Sequence, residues 1–533
     1  MLLTKTIQPF FLSILLMIFS PPIFGQVDFN SSNIPIIIIE TNGQEILDAP
    51  KIIANMKVID HGEYRNYLTD SIHDYDGKIS IEIRGSSSQS FPKKQYDFET
   101  KNDDGSNNNV SLLGLPSEND WILSAPYSDK TLIRNILAYK LSESLGHYAP
   151  RTSLCELVLN GQYAGVYVLT EKIKRDKNRV DISKLKPDEI NGDDLTGGYI
   201  FKIDKSTGSN CYGWSTEIAN IYIQYEYPDC DDIVPEQKLY IKNYVNSFEE
   251  ALFSNYFSDS IYGYRQLIDL NSALDYFIVN EISKNIDAYA QSTFMYKDKD
   301  SEGGKLIFGP VWDYNLAFGN ANYRNGYKTN ELLAPNHIWW GRLLKDSIFT
   351  NSLKIRWDEI RKDKFSNLQI INIIDSLSFV LSEAQQRNFQ KWNVLGENVW
   401  PNYYVGTSYA DEIRFLKSWI INRLNWLDNN IPGYFNDYAP FIDYNPCVFP
   451  NPFDYFFTFT FSLEESGGIS IYLIDSNGKL LTDIVDNSYY EKGKHKITWN
   501  SFINENRVSN NLYILILEFN GEIVIKERVI KKY

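Results

Sequence analysis

Gly309-Pro310-Val311-Trp312-Asp313-Tyr314-Asn315-Leu316-Ala317-Phe318-Gly319 is the stretch on which the reading turns. It follows the short apolar run Leu306 to Phe308, which predicts a strand, and it sets one carboxylate among aromatic residues before a closing glycine. A carboxylate so placed suits a hard cation, which prefers oxygen ligands. Such a cation neutralises charge as a phosphoryl group leaves, so Asp313 is the candidate metal residue.

Working outward, Leu270 to Ile286 predicts a helix that ends in Asn285-Ile286-Asp287, with Tyr289, Gln291, Ser292 and Thr293 just beyond. An aspartate past a helix end suits a base that takes or orients the proton of an acceptor hydroxyl. Taken alone, Asp287 reads first as a capping or turn residue.

Further upstream, Ile83-Arg84-Gly85-Ser86-Ser87-Ser88-Gln89-Ser90-Phe91-Pro92-Lys93-Lys94 predicts a strand, a small-residue turn and a second strand. Backbone N–H groups and hydroxyls in such a turn can line a phosphate chain, and a lysine on the next strand supplies positive charge. In isolation this is a serine-rich hairpin with solvated lysines. Alternation places Lys94 on the face of Tyr96 and Phe98, so Lys94 rather than Lys93 is expected to point inward.

Other elements follow from pattern. Ile36 to Ile39 and Ile79 to Ile83 predict strands, Asp129 to Gly146 a helix, and Cys155 to Leu159 with Gln162 to Thr170 a hairpin around Asn160-Gly161. Phe294 to Lys297 predicts a short strand and Leu343 to Leu427 a mainly helical region. Its last helix carries the apolar stripe Ile413, Leu416, Ile420, Leu424, Leu427.

Arg84-Gly85-Ser86-Ser87 with Pro92-Lys93-Lys94, Asp129 to Asn135, Asn160-Gly161 to Tyr167 with Glu171, Gly197-Gly198-Tyr199, Asn285 to Asp287 and Trp312 to Gly319, in that order, resemble the CotH (spore-coat protein) kinase family. The resemblance runs over roughly residues 33 to 433. It implies an α+β, atypical protein-kinase-like two-lobed domain that phosphorylates protein serine or threonine hydroxyls with ATP and magnesium or manganese. By position it makes Asp287 the catalytic aspartate and Asp313 the metal aspartate, with Ser292 and Asn315 on the metal side. Arg84, Gly85, Ser88, Lys93, Lys94 and Glu171 fall on the nucleotide side. Ser292 stands where kinase logic expects an amide, and Asn315 where many members carry a second acidic residue. Arg134 and Asn135 are candidates for holding the site together. The competing expectation is a non-catalytic surface protein that binds a partner or carbohydrate on the same fold.

The chain has 533 residues, enough for two or three domains, and 68 acidic against 52 basic residues give a formal charge of -16. That balance offers no footprint for a phosphate backbone, so no nucleic-acid partner is expected. Lys5, the apolar stretch Phe10 to Phe19, Pro21-Pro22 and Gly25 predict a signal peptide over 1–25, too short and broken for a membrane anchor. Cys155, Cys211, Cys230 and Cys447 are too scattered for a zinc cluster. Cys211 and Cys230 are candidates for a disulfide, while Cys155 reads as inert core.

A kinase-like domain is expected over 26–435, a linker over 436–447 and an all-β sandwich over 448–533. In the last, Phe456 to Phe461, Ile469 to Ile474, Lys496 to Trp499 and Leu512 to Glu518 are candidate strands. Val448-Phe449-Pro450-Asn451-Pro452-Phe453, those strands and the basic end Lys526 to Lys532 resemble the type A sorting domain of type IX secretion substrates. That resemblance implies the type IX secretion machinery as a partner, a Bacteroidetes-type source, and a secreted or outer-surface location. A secreted or surface protein is the expected acceptor, and no transmembrane anchor is expected in the mature chain.

Overall fold

The computed structural model describes residues 27–433 and 447–532, apart from 72, 206–212, 454–455, 464, 501 and 504–505. The expected leader, residues 436–446 of the expected linker, and Cys211 lie outside the described residues. Helices and sheets are mixed along the chain, so the fold is α+β, and it divides into two compact units.

The first unit takes the chain up to Ile133, Arg151–Lys172 and Asp375–Arg414. Its barrel strands are β1 (Ile36–Glu40), β2 (Ile52–Ile59), β3 (Tyr75–Arg84), β4 (Gln95–Lys101), β5 (Asp120–Ser124), β6 (Thr152–Leu159) and β7 (Gln162–Glu171). They close a barrel in the order β1-β2-β3-β4-β5-β7-β6. β1 and β6 close it as a parallel pair, and β1–β2, like the other neighbouring pairs, is antiparallel. Closure leaves no free sheet edge. Ala54, Met56, Val58, Ile79, Ile81, Phe98, Trp121 and Leu169 fill the interior. This follows from period-two alternation, which sends every second side chain inward. The β6–β7 hairpin turns at Asn160 and Gly161, with φ of 49° and 71°, as a primed two-residue turn requires. Cys155 is buried, and burial pushes its thiol up to about 12, which makes it the inert core residue expected.

The second unit takes Arg134–Pro150, Ile173–Ile374 and the chain from Phe415. Its main helices before residue 300 are α1 (Arg134–Ser144), α2 (Pro235–Phe253) and α3 (Leu270–Ser283). The helix expected from Asp129 starts only at Arg134. Asp129 instead accepts from the backbone N–H (3.0 Å) and hydroxyl (2.6 Å) of Thr131, and Leu132 turns to φ 65°. α3 is buried on every side from Ser272 to Ser283, as a central core helix must be. Asp269 caps its start by accepting from the Ser272 N–H at 2.7 Å. Lys284, at φ 44°, stops it short of the expected Ile286.

A five-stranded sheet runs Trp214–Ser215, Tyr222–Tyr227, Tyr199–Ile203, Thr293–Lys297, Leu306–Phe308. His147, just beyond α1, meets Asp275 of α3 at 2.8 Å, and Arg356 reaches the same carboxylate at 2.8 Å. Cys230 is disulfide-bonded.

From Cys447 onward the chain is β. Cys447–Phe449, Phe456–Leu463 and Gly493–Asn500 form one sheet; Leu480–Tyr490, Gly467–Asp475, Leu512–Phe519 and Glu522–Ile530 form the other. Phe457, Phe459, Phe461, Ile469, Ile471, Leu473, Leu515 and Leu517 make one core between them, the sandwich expected from the alternating strands.

Candidate active site

Asp287 and Asp313 both belong to the second unit, and one side chain ties their segments together. The Asn285 amide donates from Nδ2 to the Asp313 carbonyl at 3.1 Å, while its Oδ1 accepts the Asp287 N–H at 3.3 Å. Asn285 is itself buried. The route that brings the aspartates there is short. α3 ends, the chain turns through Asn285–Gln291, and the hairpin of Thr293–Lys297 with Leu306–Phe308 returns it to Gly309.

The Asp313 segment is pinned along its length. Asp313 N–H donates to the Tyr139 hydroxyl at 3.4 Å, and Tyr314 N–H to Asn135 Oδ1 at 2.6 Å, both on α1. The Tyr314 hydroxyl donates to Asn280 Oδ1 at 2.7 Å, and Phe318 N–H to the Ser283 carbonyl at 2.6 Å, both on α3. Asn135 thus holds the segment as expected. Gly319, at φ 78°, packs so closely that a Cβ would lie 2.4 Å from the Trp419 ring.

Several non-glycine residues here are left-handed: Lys284, Tyr289, Ser292, Asp313 and Phe318. Such residues cost of order 1–3 kcal/mol each and persist where surrounding contacts over-determine them, which happens most at functional sites. The two carboxylates also act on one phenol. Tyr323 is raised by burial first, then by the negative charge of Asp287, with Asp313 adding to it.

Their environments differ. Asp313 is exposed, whereas the Asp287 side chain keeps 23% of its exposure. Burial raises the proton affinity of Asp287; the nearby positive charges of Arg324 and Lys205 oppose that rise, and Asp204 adds to it. The Arg324 guanidinium stands 3.8 Å from Asp287 Oδ1. A carboxylate whose pKa is raised is a better proton acceptor near neutral pH. Two residues on from Asp287, the buried Tyr289 packs on Trp340 at 4.7 Å, and Phe308 packs on the same ring at 5.1 Å.

A buried ion pair holds the far side of the site. Arg423 Nη2 meets Glu281 Oε2 at 3.0 Å, and Arg423 also donates to the carbonyls of Glu281, Thr329 and Glu331. Glu281 Oε1 accepts the Ala334 N–H at 2.8 Å, so the 329–334 loop is anchored to α3.

Ser292 and Asn315, the other metal-side candidates, are half-buried. Their side chains, like that of Asp313, offer the oxygen donors that magnesium or manganese takes. Among the described residues no cluster of three or more His, Cys, Asp or Glu could hold a metal alone.

The nucleotide-side candidates lie in the first unit. Arg84 ends β3, and the Gly85–Ser90 turn closes on itself: Gln89 Nε2 donates to the Gly85 carbonyl at 2.7 Å, and Lys94 Nζ to the Gln89 carbonyl at 2.6 Å. Gly85 sits at φ 105°, where a Cβ would lie 2.1 Å from Ser88 Oγ. Lys93, not Lys94, points inward, which corrects the alternation counted back from Tyr96. β4 begins only at Gln95, so the strand period does not reach the residues after Pro92. Lys93 is 1% exposed, and its Nζ donates to the Val166 carbonyl (2.6 Å) and Asn388 Oδ1 (2.9 Å). Burial lowers its pKa to about 7. Glu171, fully buried at the end of β7, pairs with Arg151 Nη1 at 2.8 Å and accepts the Arg151 N–H at 3.0 Å.

Asn285, Tyr323, Arg324 and the Glu281–Arg423 pair carry no site role in the sequence reading. Asn285 and Glu281 stand in the cluster that leads to Asp287; Tyr323, Arg324 and Arg423 have no local signal.

No curated protein matches the chain. Among solved structures, the Pseudomonas fluorescens alkylpurine DNA glycosylase AlkC bound to DNA containing an abasic site analog is similar over 36% of this chain and 50% of that one. The identity is 10% and the TM-score 0.13, and the likeness carries no argument. The family described as CotH kinase protein matches residues 81–427, a span that contains α3, both aspartates and the barrel strands from β4 to β7. This chain belongs to the CotH kinase family.

Proposed function

We propose that the chain is an exported atypical kinase that moves the γ-phosphoryl of ATP to a serine or threonine hydroxyl of a secreted or surface protein. The observation that carries this reading is the single Asn285 amide joining the Asp287 and Asp313 segments. One partly buried carboxylate has raised proton affinity and the other is exposed, a difference that matches the division of labour between base and metal-side carboxylate in phosphoryl transfer.

Asp287 accepts the hydrogen bond of the acceptor hydroxyl and takes its proton. The hydroxyl oxygen bonds to the γ-phosphorus as the bond to the β–γ bridging oxygen breaks, and ADP leaves. A bound magnesium or manganese ion supplies positive charge at the phosphate oxygens during that displacement. Asp313, with Asn315 and Ser292, would hold that ion. Arg84, Gly85, Ser88, Lys94 and Glu171 are proposed for the nucleotide side. Lys93 is assigned there by family position, although its ammonium is engaged by interior acceptors. Arg324 is free to lean towards phosphate, since it is 59% exposed and only loosely paired.

The apolar leader and the Val448 to Phe453 motif ahead of a sandwich support export by signal peptide and then by type IX secretion in a Bacteroidetes-type cell. The family span, the sandwich and the intervening segment support domains at 26–435, 448–533 and a linker at 436–447. Among the described residues no helix is long and apolar enough to cross a membrane.

The test is transfer from γ-labelled ATP to the protein itself and to a serine-rich acceptor, with magnesium varied. Label incorporation that is lost in Asp287→Asn supports the reading. Absence of both nucleotide binding and transfer in the wild-type chain sinks it, in favour of a non-catalytic surface role.

A further inference from the structure

Beside the aspartates, the second unit carries a groove of about 540 Å³ lined by Asn255, His337, Ile338, Arg342 and Lys345. Its lining touches the Asp287 turn through His337. The His337 ring packs against Tyr289 at 5.2 Å, in the turn that carries Asp287. His337 is lowered by burial and then by the charge of Arg324, the residue 3.8 Å from Asp287.

The groove is cationic on a chain whose formal charge is -16. Arg342 donates only to neutral groups, the carbonyls of Leu252 and Ser254, each at 3.0 Å, and lies 3.7 Å from the Phe257 ring centroid. Lys345 is exposed, and among the described residues neither it nor Arg342 pairs with a carboxylate. Apolar surface borders these charges: Ile338 is 54% exposed and Tyr256 69%.

We propose that this groove is the acceptor-docking site and that it takes an acidic polypeptide segment, with aspartate or glutamate a few residues from the hydroxyl that reaches Asp287. The inference rests on Asp287 acting as the base. Unpaired cations at the groove confer selectivity by attracting carboxylates and repelling basic segments. The exposed apolar residues add contact with the side chains between those carboxylates.

The test uses the full chain without ATP and fluorescein-labelled peptides in which the target serine is alanine, so docking is read even where no transfer occurs. Fluorescence anisotropy should show tighter binding of a glutamate-flanked peptide than of its lysine-flanked or alanine-flanked counterpart, with affinity falling as salt rises. Lys345→Glu should weaken the acidic peptide about five- to tenfold and narrow its preference over the alanine-flanked one, as reversal of one exposed charge allows. Arg342→Gln, which keeps a donor for the carbonyls, is the second variant and should act in the same direction. Unchanged melting of both variants separates docking from folding. Equal binding of the three peptides, preference for the basic one, or binding of polygalacturonate with no acidic peptide bound would overturn the proposal. Failure of label transfer with intact acidic-peptide selectivity would instead count against the kinase reading alone.

Discussion

Replacing Asn285 by alanine removes the side chain that joins the two aspartate segments. Two hydrogen bonds go, at 3.1 and 3.3 Å, leaving the Asp313 carbonyl and the Asp287 N–H without this partner in a partly buried setting. A net hydrogen bond contributes about 1 kcal/mol and a buried group left unsatisfied costs about 1–3 kcal/mol. The expected loss of stability is thus about 2–3 kcal/mol in urea denaturation. The effect on transfer should be larger than that figure suggests, because misplacement by about 1 Å costs about a hundredfold in rate. Asn285→Asp is the informative partner. It keeps an acceptor for Asp287 N–H, loses the donor to Asp313, and adds negative charge near two carboxylates, so it should lose rate to a similar extent. Steady-state transfer from labelled ATP, measured at a temperature where each variant is fully folded, separates the two effects. Transfer within about twofold of wild type in a folded, destabilised Asn285→Ala protein would refute the argument that this amide aligns the site.

Arg324→Gln removes a positive charge that opposes the raised affinity of Asp287, so the acid limb of the pH–rate profile should move to higher pH; an unmoved limb would show that the pair is without effect. Because the folded pKa of Asp287 lies above the unfolded value of about 3.9, its contribution to stability is present below that value and is lost as pH rises through the folded pKa. Asp287→Asn should therefore melt higher than wild type at pH 7, an advantage that fades in acid; a lower melting point at pH 7 would contradict the account. Arg423→Met leaves Glu281 buried without its cation and should cost about 3–5 kcal/mol in chemical denaturation, with a loss under about 1 kcal/mol arguing against a buttress. Lys93→Met strips a donor from the Val166 carbonyl and Asn388 Oδ1 and should destabilise the first unit by about 2 kcal/mol or more with ATP affinity retained. Weaker ATP binding at unchanged stability would show instead that Lys93 serves the nucleotide, as its family position implies.

What the sequence made legible was what lies close together in the chain. The Asn160-Gly161 hairpin, the Leu306 to Phe308 strand and the stripe from Leu416 to Leu427 follow from local turn chemistry and period, and all appear in the structure. The barrel does not follow in this way. Its closing pair joins Ile36–Ile39 to Glu156–Leu159 in parallel, and no local pattern encodes a partner so distant. β2 does carry a local signal, since Ala54, Met56 and Val58 alternate with Asn55 and Lys57 at the strand period, and the sequence reading passes over it. α2 does show a buried stripe, Ile241, Val245, Phe248 and Leu252, but tyrosine, asparagine and charge interrupt it. In the site, the aspartates were visible as motifs. Asn285 stood in plain view without a role, since its two partners lie 2 and 28 residues away and only the fold brings them to one amide. Arg324 lies five residues beyond Gly319 and 3.8 Å from Asp287, and only the fold shows that it stands there.

The central claim is that Asp287 and Asp313 serve one phosphoryl group in one place. A double-mutant cycle on label transfer, with Asp287→Asn, Asp313→Asn and the two combined, tests it most directly. Groups that act as a unit give strongly non-additive losses, so the account predicts a double variant no slower than the worse single one. Losses that simply multiply, or single variants indistinguishable from wild type, would contradict it.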